Sequence, residues 1–406
     1  MSIRDNAIKA KGDVTGYDHC DYQHQIYNED ALLRAFLIAK RGSDWKRSVQ
    51  VFENDLSVEI AEIAEQIANY TYKLKPNTNF ELKERGKTRW ISGEHISDRV
   101  VKHVLCDDVL MPAVLPKLIY DNSASIKGRG IDFARRRLLV MLRKYYRRYG
   151  NDGYILLMDY SKYYDNIRHD KLMDIFRSLP IDETSLWLIE QSLKRDEIDV
   201  SYMTDEQYAH CMDEVFDSLK YQLVDKSLLT GEKMMRKHLN IGDQLSQIAG
   251  ILYPYQVDNF IKIVLGCKYY LRYSDDSLII HHDKDFLENA LEQIRAKATE
   301  EGLTLNPKKT RIVKLSSLWR FMQLQYSLTD TGRVIQKINP KQLTRMRRKL
   351  KKLSHKLPAD ELTQLYNSWF KAHYKTMSKR QRANMDNLIK ELTTKEKKHG
   401  IQRDFI

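Results

Sequence analysis

Long apolar runs are missing from this 406-residue chain. None approaches the ~20 residues that a bilayer-spanning helix needs, which excludes a membrane span of that kind. The opening stretch Met1-Ser2-Ile3-Arg4-Asp5 has no apolar core of the secretory type, so a cytoplasmic protein is expected. Cysteine is scarce. Cys20, Cys106, Cys211 and Cys267 stand far apart with no paired spacing, which excludes a disulfide framework or a zinc ribbon and fits reduced thiols. Glycine and proline are sparse at 16 and 8 residues, and neither internal repeats nor a low-complexity linker interrupts the chain.

What the chain does have is positive charge. Lys and Arg number 68 against 55 Asp and Glu, a net charge of +13, with a pI near 9.2. That balance suits phosphate backbones, or else an anionic lipid surface. Hydrophobic content of 42% and this length allow two to three subdomains with a substantial core.

Against this basic background, three acids stand out. Asp275 and Asp276 lie in Tyr273-Ser274-Asp275-Asp276, at the bend of an apolar stretch from Lys268 to Ile280 that reads strand, tight turn, strand. Adjacent like charges repel there, yet they suit divalent cations held at a sheet rim. Asp159 falls where the continuously apolar run Tyr154-Ile155-Leu156-Leu157-Met158 stops, so its carboxylate should emerge at the end of a buried strand. Taken singly, each is explained as well by a solvated turn or a helix cap. Together they match a two-metal nucleotidyl-transfer site, in which ions about 3.5–4 Å apart bridge the attacking hydroxyl and the leaving pyrophosphate. Oxygen-only ligands and phosphate substrates favour Mg2+ (two ions, with Mn2+ as a substitute).

At these residues the chain resembles the prokaryotic reverse transcriptases. Asp159-Tyr160-Ser161-Lys162-Tyr163-Tyr164-Asp165 is similar to the first palm motif of that family, and Tyr273-Ser274-Asp275-Asp276 to its Tyr-x-Asp-Asp box. Between them, Ile241-Gly242-Asp243-Gln244-Leu245-Ser246-Gln247 resembles the Gly-x-x-x-Ser-Gln middle motif typical of diversity-generating retroelements and of neighbouring defence-associated and abortive-infection groups.

The resemblance implies roles residue by residue. Asp159, Asp275 and Asp276 are the expected metal ligands. Tyr164 is the expected bulky side chain beneath the incoming sugar, excluding a ribose 2′-hydroxyl. Gly242, Ser246 and Gln247 are expected against the template and the nascent pair, Gly for close backbone approach and Gln as donor and acceptor. Gly302-Leu303-Thr304-Leu305-Asn306-Pro307-Lys308-Lys309-Thr310 resembles the segment whose lysine faces the departing pyrophosphate, making Lys309 the candidate general acid or electrostatic clamp. Gly86-Lys87-Thr88-Arg89 resembles the fingers turn, with Lys87 and Arg89 on the triphosphate. Asp98-Arg99 should fasten the fingers internally, and Arg129 in Lys127-Gly128-Arg129-Gly130 should lie along the template.

The implied fold is an α+β right-hand polymerase: an N-terminal extension (1–30), fingers (31–150), a palm of antiparallel sheet and helices (151–330, with an insertion at about 196–232) and a helical thumb (331–406). Helices are expected over 31–39 and over 56–68, where Leu56, Ile60, Ile63 and Ile67 share a face. Lys341 to Leu357 carries eight Lys or Arg while Leu343, Met346, Leu350 and Leu353 repeat at helical spacing, so one face packs and the other is densely basic, which suits a solvated face or a membrane-surface helix as well. The resemblance makes that face, with Arg347 and Arg348, the thumb's seat for a template–product duplex. The implied activity is RNA-directed DNA polymerisation, a nucleotidyltransferase reaction. It uses dNTPs, an RNA template (a structured non-coding RNA) and a DNA product, in a bacterial or phage retroelement or an antiviral defence system, with an accessory protein or a homo-oligomer and no membrane. Two alternatives stay open: a defence polymerase making repetitive, untemplated or protein-primed DNA, and an inactive RNA-binding scaffold.

Two departures from the family pattern are visible. His238-Leu239-Asn240 stands where diversity-generating enzymes carry Gly-Leu-Pro, and Phe321-Met322-Gln323-Leu324 lacks the glycine of the usual primer grip, which raises unusual priming.

Overall fold

The computed structural model describes residues 26–84, 86–221 and 224–398, and the side chains of Glu84, Lys87 and residues 395–398 fall outside that description. Cys20 and most of the expected N-terminal extension also lie outside the described residues. Helices α1 (Glu29–Ala39), α2 (Arg47–Asn54) and α3 (Leu56–Ala68) precede strands β1 (Thr78–Glu84) and β2 (Lys87–Gly93) and helix α4 (Ile96–His103). The long α5 (Ile131–Tyr149) leads into β3 (Tyr154–Met158), then α6 (His169–Arg177), α7 (Glu183–Asp196), β4 (Ile198–Asp199), α8 (Asp205–Asp213), β5 (Met234–Met235) and α9 (Gln244–Leu252). After β6 (Tyr269–Tyr273), β7 (Asp276–His281) and α10 (Lys284–Glu300) come β8 (Arg311–Lys314), β9 (Trp319–Phe321), β10 (Leu324–Leu328), β11 (Val334–Ile338), α11 (Pro340–Leu353), α12 (Ala359–His373) and α13 (Lys379–Lys398). No helix among the described residues is long and apolar enough to cross a membrane, and Cys106, Cys211 and Cys267 are buried thiols.

The chain forms two compact units. The first comprises residues up to Gly128, Asp159–Gly266 and Leu291–Asn306. Asn28 caps α1 by accepting from the Ala31 N–H at 2.8 Å, and Ala31, Leu32, Ala35, Phe36 and Ala39 then fall on one buried face at helical spacing. On α3 the buried face is Ile60, Ile63 and Ile67, as expected, with Leu56 half-buried at its start. β1 and β2 form a hairpin from Thr78↔Gly93 to Glu84↔Lys87. Asp98, fully buried on α4, accepts from Tyr72 Oη at 2.7 Å, from the Lys75 N–H at 3.0 Å and from Arg195 at 3.0 Å, and Arg99 donates to the Ala39 carbonyl and to Ser43. The Asp98-Arg99 pair thus ties helices together, as its sequence setting suggests.

The second unit comprises Arg129–Met158, Cys267–Ala290 and residues from Pro307 onward. Its centre is an antiparallel sheet in the order β6-β7-β3-β8. Side chains alternate across a strand, so Ile155, Leu157, Tyr269, Leu271, Leu278 and Ile280 share one face, and Ala134, Leu138, Met141, Leu142 and Tyr145 of α5 are buried against it. The same core takes in the β9-β10-β11 meander, where Trp319 stacks on Tyr326 with ring centroids 4.9 Å apart. Further on, Asn339 caps α11 with Pro340 in the first turn, and Leu343, Met346 and Leu350 bury against Leu362, Tyr366, Met377, Met385 and Ile389. The helical periodicity read in 341–357 is therefore the packing face of a three-helix cluster.

Candidate active site

In the second unit, Tyr273 pairs with Asp276, leaving Ser274 and Asp275 as a two-residue turn between β6 and β7. The central positions of such turns normally take glycine because the backbone must adopt positive φ. Here Ser274 does so at φ +55°. A left-handed non-glycine residue costs of order 1 kcal/mol or more and persists where its surroundings over-determine it. The bracing is Arg272, whose side chain is fully buried and whose Nη1 donates to the Ser274 carbonyl at 3.1 Å. Asp275 and Asp276 are half-exposed at this tip, while the strands beneath them are buried. β7 also pairs with β3, ending at Met158↔Ser277.

In the first unit, Asp159 is nearly buried. Its carbonyl accepts from the Asn306 N–H at 2.7 Å, Tyr160 bridges Leu305, and the Ser161 N–H donates to the Thr304 carbonyl at 2.8 Å. The start of the Gly302–Thr310 segment therefore runs beside the first acid. Lys309, in the second unit, is exposed.

Tyr164 sits in a single 3-10 turn, Tyr163–Asn166, against α9. A Cβ built on Gly250 would stand 2.9 Å from Tyr164 Oη, and Tyr163 Oη donates to the Gly250 carbonyl at 2.6 Å. The middle motif is anchored on both sides. Gly242 adopts φ +121°, and a Cβ there would lie 3.0 Å from the Ser92 carbonyl, while the Ser92 N–H donates to the Ile241 carbonyl at 3.0 Å. The close approach that this glycine permits is thus to β2. Asp243 caps α9 by accepting from the Leu245 N–H at 2.9 Å and meets the buried Lys102, which also pairs with Glu94 at 2.7 Å. Burial alone would lower the Lys102 ammonium, but Asp243 and Glu94 outweigh it and raise its pKa. Ser246 lies on the buried face of α9, whereas Gln247 is exposed, with Ser125 Oγ at 3.5 Å from its side-chain oxygen.

Of the remaining expected contacts, Arg89 is half-buried on β2 opposite Leu82. The Lys87 side chain lies outside the description. Arg129 stands over the Phe133 ring at 5.4 Å. Arg347 and Arg348 are exposed on α11 and line a cavity of about 390 Å³ with Thr344, Lys351, Asn384 and Asn387.

Among the described residues no three His, Cys, Asp or Glu side chains gather tightly enough to hold a metal ion by themselves. Mg2+ does not require such a cage, since it binds through one or two carboxylates together with waters and substrate phosphates. The Asp275-Asp276 pair fits that manner of binding. Sequence reasoning missed Arg272, Gly250 and the Lys102 ion pairs. A charged residue inside an apolar strand and a glycine inside a helix were the signals available.

A family model described as reverse transcriptase (RNA-dependent DNA polymerase) matches residues 74–326, more than half of the chain. No curated protein matches. Among solved structures the chain is similar to telomerase from Candida albicans, solved in complex with the TWJ fragment of telomeric RNA, at 12% sequence identity and a TM-score of 0.42. That alignment covers 86% of this chain and 63% of the other.

Proposed function

The chain belongs to the reverse transcriptase family, and from that premise we propose that it is an RNA-directed DNA polymerase adding deoxynucleotides to a 3′ end by two-metal catalysis. Its helices and antiparallel sheets are those of the reverse transcriptase fold, and the family generally uses divalent metal ions, typically Mg2+. The observation that carries the reading is the β3–β7 register. Pairing ends at Met158 opposite Ser277; Asp276 precedes Ser277 at the start of β7, and in the sequence Asp159 directly follows Met158, the last residue of β3. Asp159 and Asp275 would share the ions, with Asp276 beside them. Such ions neutralise the charge that builds on the transferred phosphate in an in-line displacement.

Around this centre, Tyr164 acts as the sugar gate, its ring backed by Gly250. Lys87 and Arg89 grip the triphosphate, Lys309 serves the departing pyrophosphate, Gly242, Ser246 and Gln247 face the nascent pair, and Arg129 follows the template. The fingers, palm and thumb are carried by residues 31–150, 151–330 and 331–406. Arg347 and Arg348 seat the duplex, a reading supported by their exposure on α11 beside the cavity they line with Asn384 and Asn387. The middle motif and the departures from the family pattern support the reading of a cytoplasmic prokaryotic enzyme beside the diversity-generating group, copying a structured RNA in a retroelement or in antiviral defence.

The test is primer extension on an RNA template with Mg2+ and dNTPs. Replacing Asp275 and Asp276 with Ala should lower incorporation by at least about 10³-fold, beyond what losing one electrostatic contact costs, while RNA binding persists. Wild-type rates in that variant contradict the metal assignment. Charge reversal at Arg347 and Arg348 should weaken duplex binding and flatten its salt dependence by about one unit of log–log slope per lost phosphate contact.

A further inference from the structure

The described residues of 196–240, the stretch that holds the insertion, form a small body with its own core. Val200, Met203, Cys211, Phe216 and Met235 are buried together there. Such a body could merely fill space, but its hydrogen bonds converge on the turn that carries Tyr164. The Phe216 N–H donates to Asn166 Oδ1 at 2.9 Å, and the Phe216 carbonyl accepts from Asn166 Nδ2 at 3.1 Å. Ser218 Oγ donates to Asp165 Oδ1 at 2.7 Å, and Lys162 pairs with Asp217 at 2.8 Å.

The far end of the same segment grips the turn again. The Leu239 N–H donates to the Tyr164 carbonyl at 2.9 Å, and His238 Nδ1 lies 3.1 Å from Asp165 Oδ1. His238 is itself held, with Nε2 3.4 Å from Asn240 Oδ1 while the Asn240 N–H donates to the buried Asp196 at 3.0 Å. Lys237, almost fully buried, donates to the Met212 carbonyl at 2.8 Å and the Glu214 carbonyl at 2.6 Å, fastening the end of α8 to the segment after β5. The turn needs bracing, since Lys162 enters it in the left-handed conformation at φ +45°. His238 and Asn240 are the residues that depart from Gly-Leu-Pro: a glycine has no side chain to reach Asp165, and a proline has no N–H to give Asp196.

We propose that this insertion is a bracket that sets where the Tyr164 ring stands, so that Ser218 and His238 are positioning residues for sugar selection. The proposal rests on the reading of Tyr164 as the sugar gate. A ring moved by a fraction of an ångström changes its contact with a 2′-hydroxyl while barely touching a deoxyribose. The insertion would thereby become a specificity element of the polymerase.

The experiment compares kcat/KM for dTTP and UTP in the full chain, in Tyr164→Ala, and in Ser218→Ala, Asp217→Asn and His238→Gln, alone and combined with Tyr164→Ala. Tyr164→Ala should lose most of the discrimination. Ser218→Ala and His238→Gln should lower the dTTP/UTP ratio roughly tenfold, short of the ~10²-fold that a 1 Å misplacement can cost. They should lower it no further once Tyr164 is gone. Asp217→Asn touches only the partly exposed pair with Lys162, so it keeps the test alive if a buried variant fails to fold. Its drop should be smaller and in the same direction. If the bracket variants depress both substrates equally while Tyr164→Ala still collapses the ratio, the bracket is structural only and the proposal fails. If Tyr164→Ala leaves the ratio intact, the gate itself is wrong and the bracket falls with it.

Discussion

The second unit contains two hairpins built by the same device and used differently. Tyr273↔Asp276 closes over Ser274-Asp275, and Phe321↔Leu324 closes over Met322-Gln323. Both turns place non-glycine residues at positive φ: Ser274 at +55°, Met322 at +43° and Gln323 at +69°. In both, an arginine donates to the carbonyl of the first turn residue, Arg272 to Ser274 at 3.1 Å and Arg135 to Met322 at 3.0 Å. The difference lies in what the turn shows to solvent. Met322 is tucked into the core and the exposed Gln323 shows only a neutral amide, which accepts from Gln342 at 2.8 Å, whereas the half-exposed Asp275 and Asp276 show two carboxylates above a buried arginine. Strain held by a guanidinium is common to both, and only one of them spends it on presenting charge.

Breaking the arginines separates the two uses. Arg272→Met should cost roughly 10²-fold or more in dNTP incorporation, because a turn displaced by about 1 Å misplaces both carboxylates. Mg2+ half-saturation should rise in step. Arg135→Met should loosen the second unit with a smaller loss of rate. Equal losses of activity in the two variants would erase the distinction between the hairpins.

A region of the first unit supplies the pH control. Burial first, against the opposing effect of the His238 carbonyl that accepts from Nε2 at 2.6 Å, holds the His169 imidazole down at about 4 from an ordinary 6.5. The folded value lies below the unfolded one. As pH falls from about 6.5 toward 4 the unfolded chain gains a proton that the folded chain refuses, so stability is lost across that window, on the order of 3 kcal/mol. Urea melts between pH 7 and 4 should show it, and His169→Gln should remove that part of the slope. A slope unchanged in the variant would assign the acid sensitivity elsewhere, to the carboxylates of the hairpin unit included.

The smallest effect sharpens the comparison most. Ser274→Gly and Gln323→Gly should each relieve left-handed strain and gain about 1 kcal/mol, less the backbone entropy that glycine adds to the unfolded chain. Urea midpoints should rise with unchanged slope. Gln323→Gly should leave turnover near wild type, and Ser274→Gly should lower it, since a relaxed turn holds Asp275 less firmly. Loss of stability in either would mean the turn is not strained.

The α+β fold of helices and antiparallel sheets was legible because apolar patterning has a period. Tyr154–Met158, continuously apolar, became the strand between β7 and β8, and the stretch from Lys268 to Ile280 became β6, a turn and β7. Leu343, Met346 and Leu350 marked a buried helical face before any neighbour was known. What stayed hidden was conformation without its usual residue. The Met322-Gln323 turn carries no glycine to announce positive φ, so its backbone could be read only from coordinates. Bonds between distant positions were equally invisible, as with Phe216 and Asn166, fifty residues apart. The roles proposed for Asp159, Tyr164 and Lys309 rest on likeness to a family, because neither periodicity nor burial assigns them.

The most direct measurement is the manganese anomalous signal in crystals of the enzyme with an RNA–DNA duplex and an incoming dNTP. Two peaks about 3.5–4 Å apart, shared between Asp159 and Asp275, are the predicted result. A peak held by Asp275 and Asp276 with Asp159 remote from it, or no metal at the hairpin, would contradict the account.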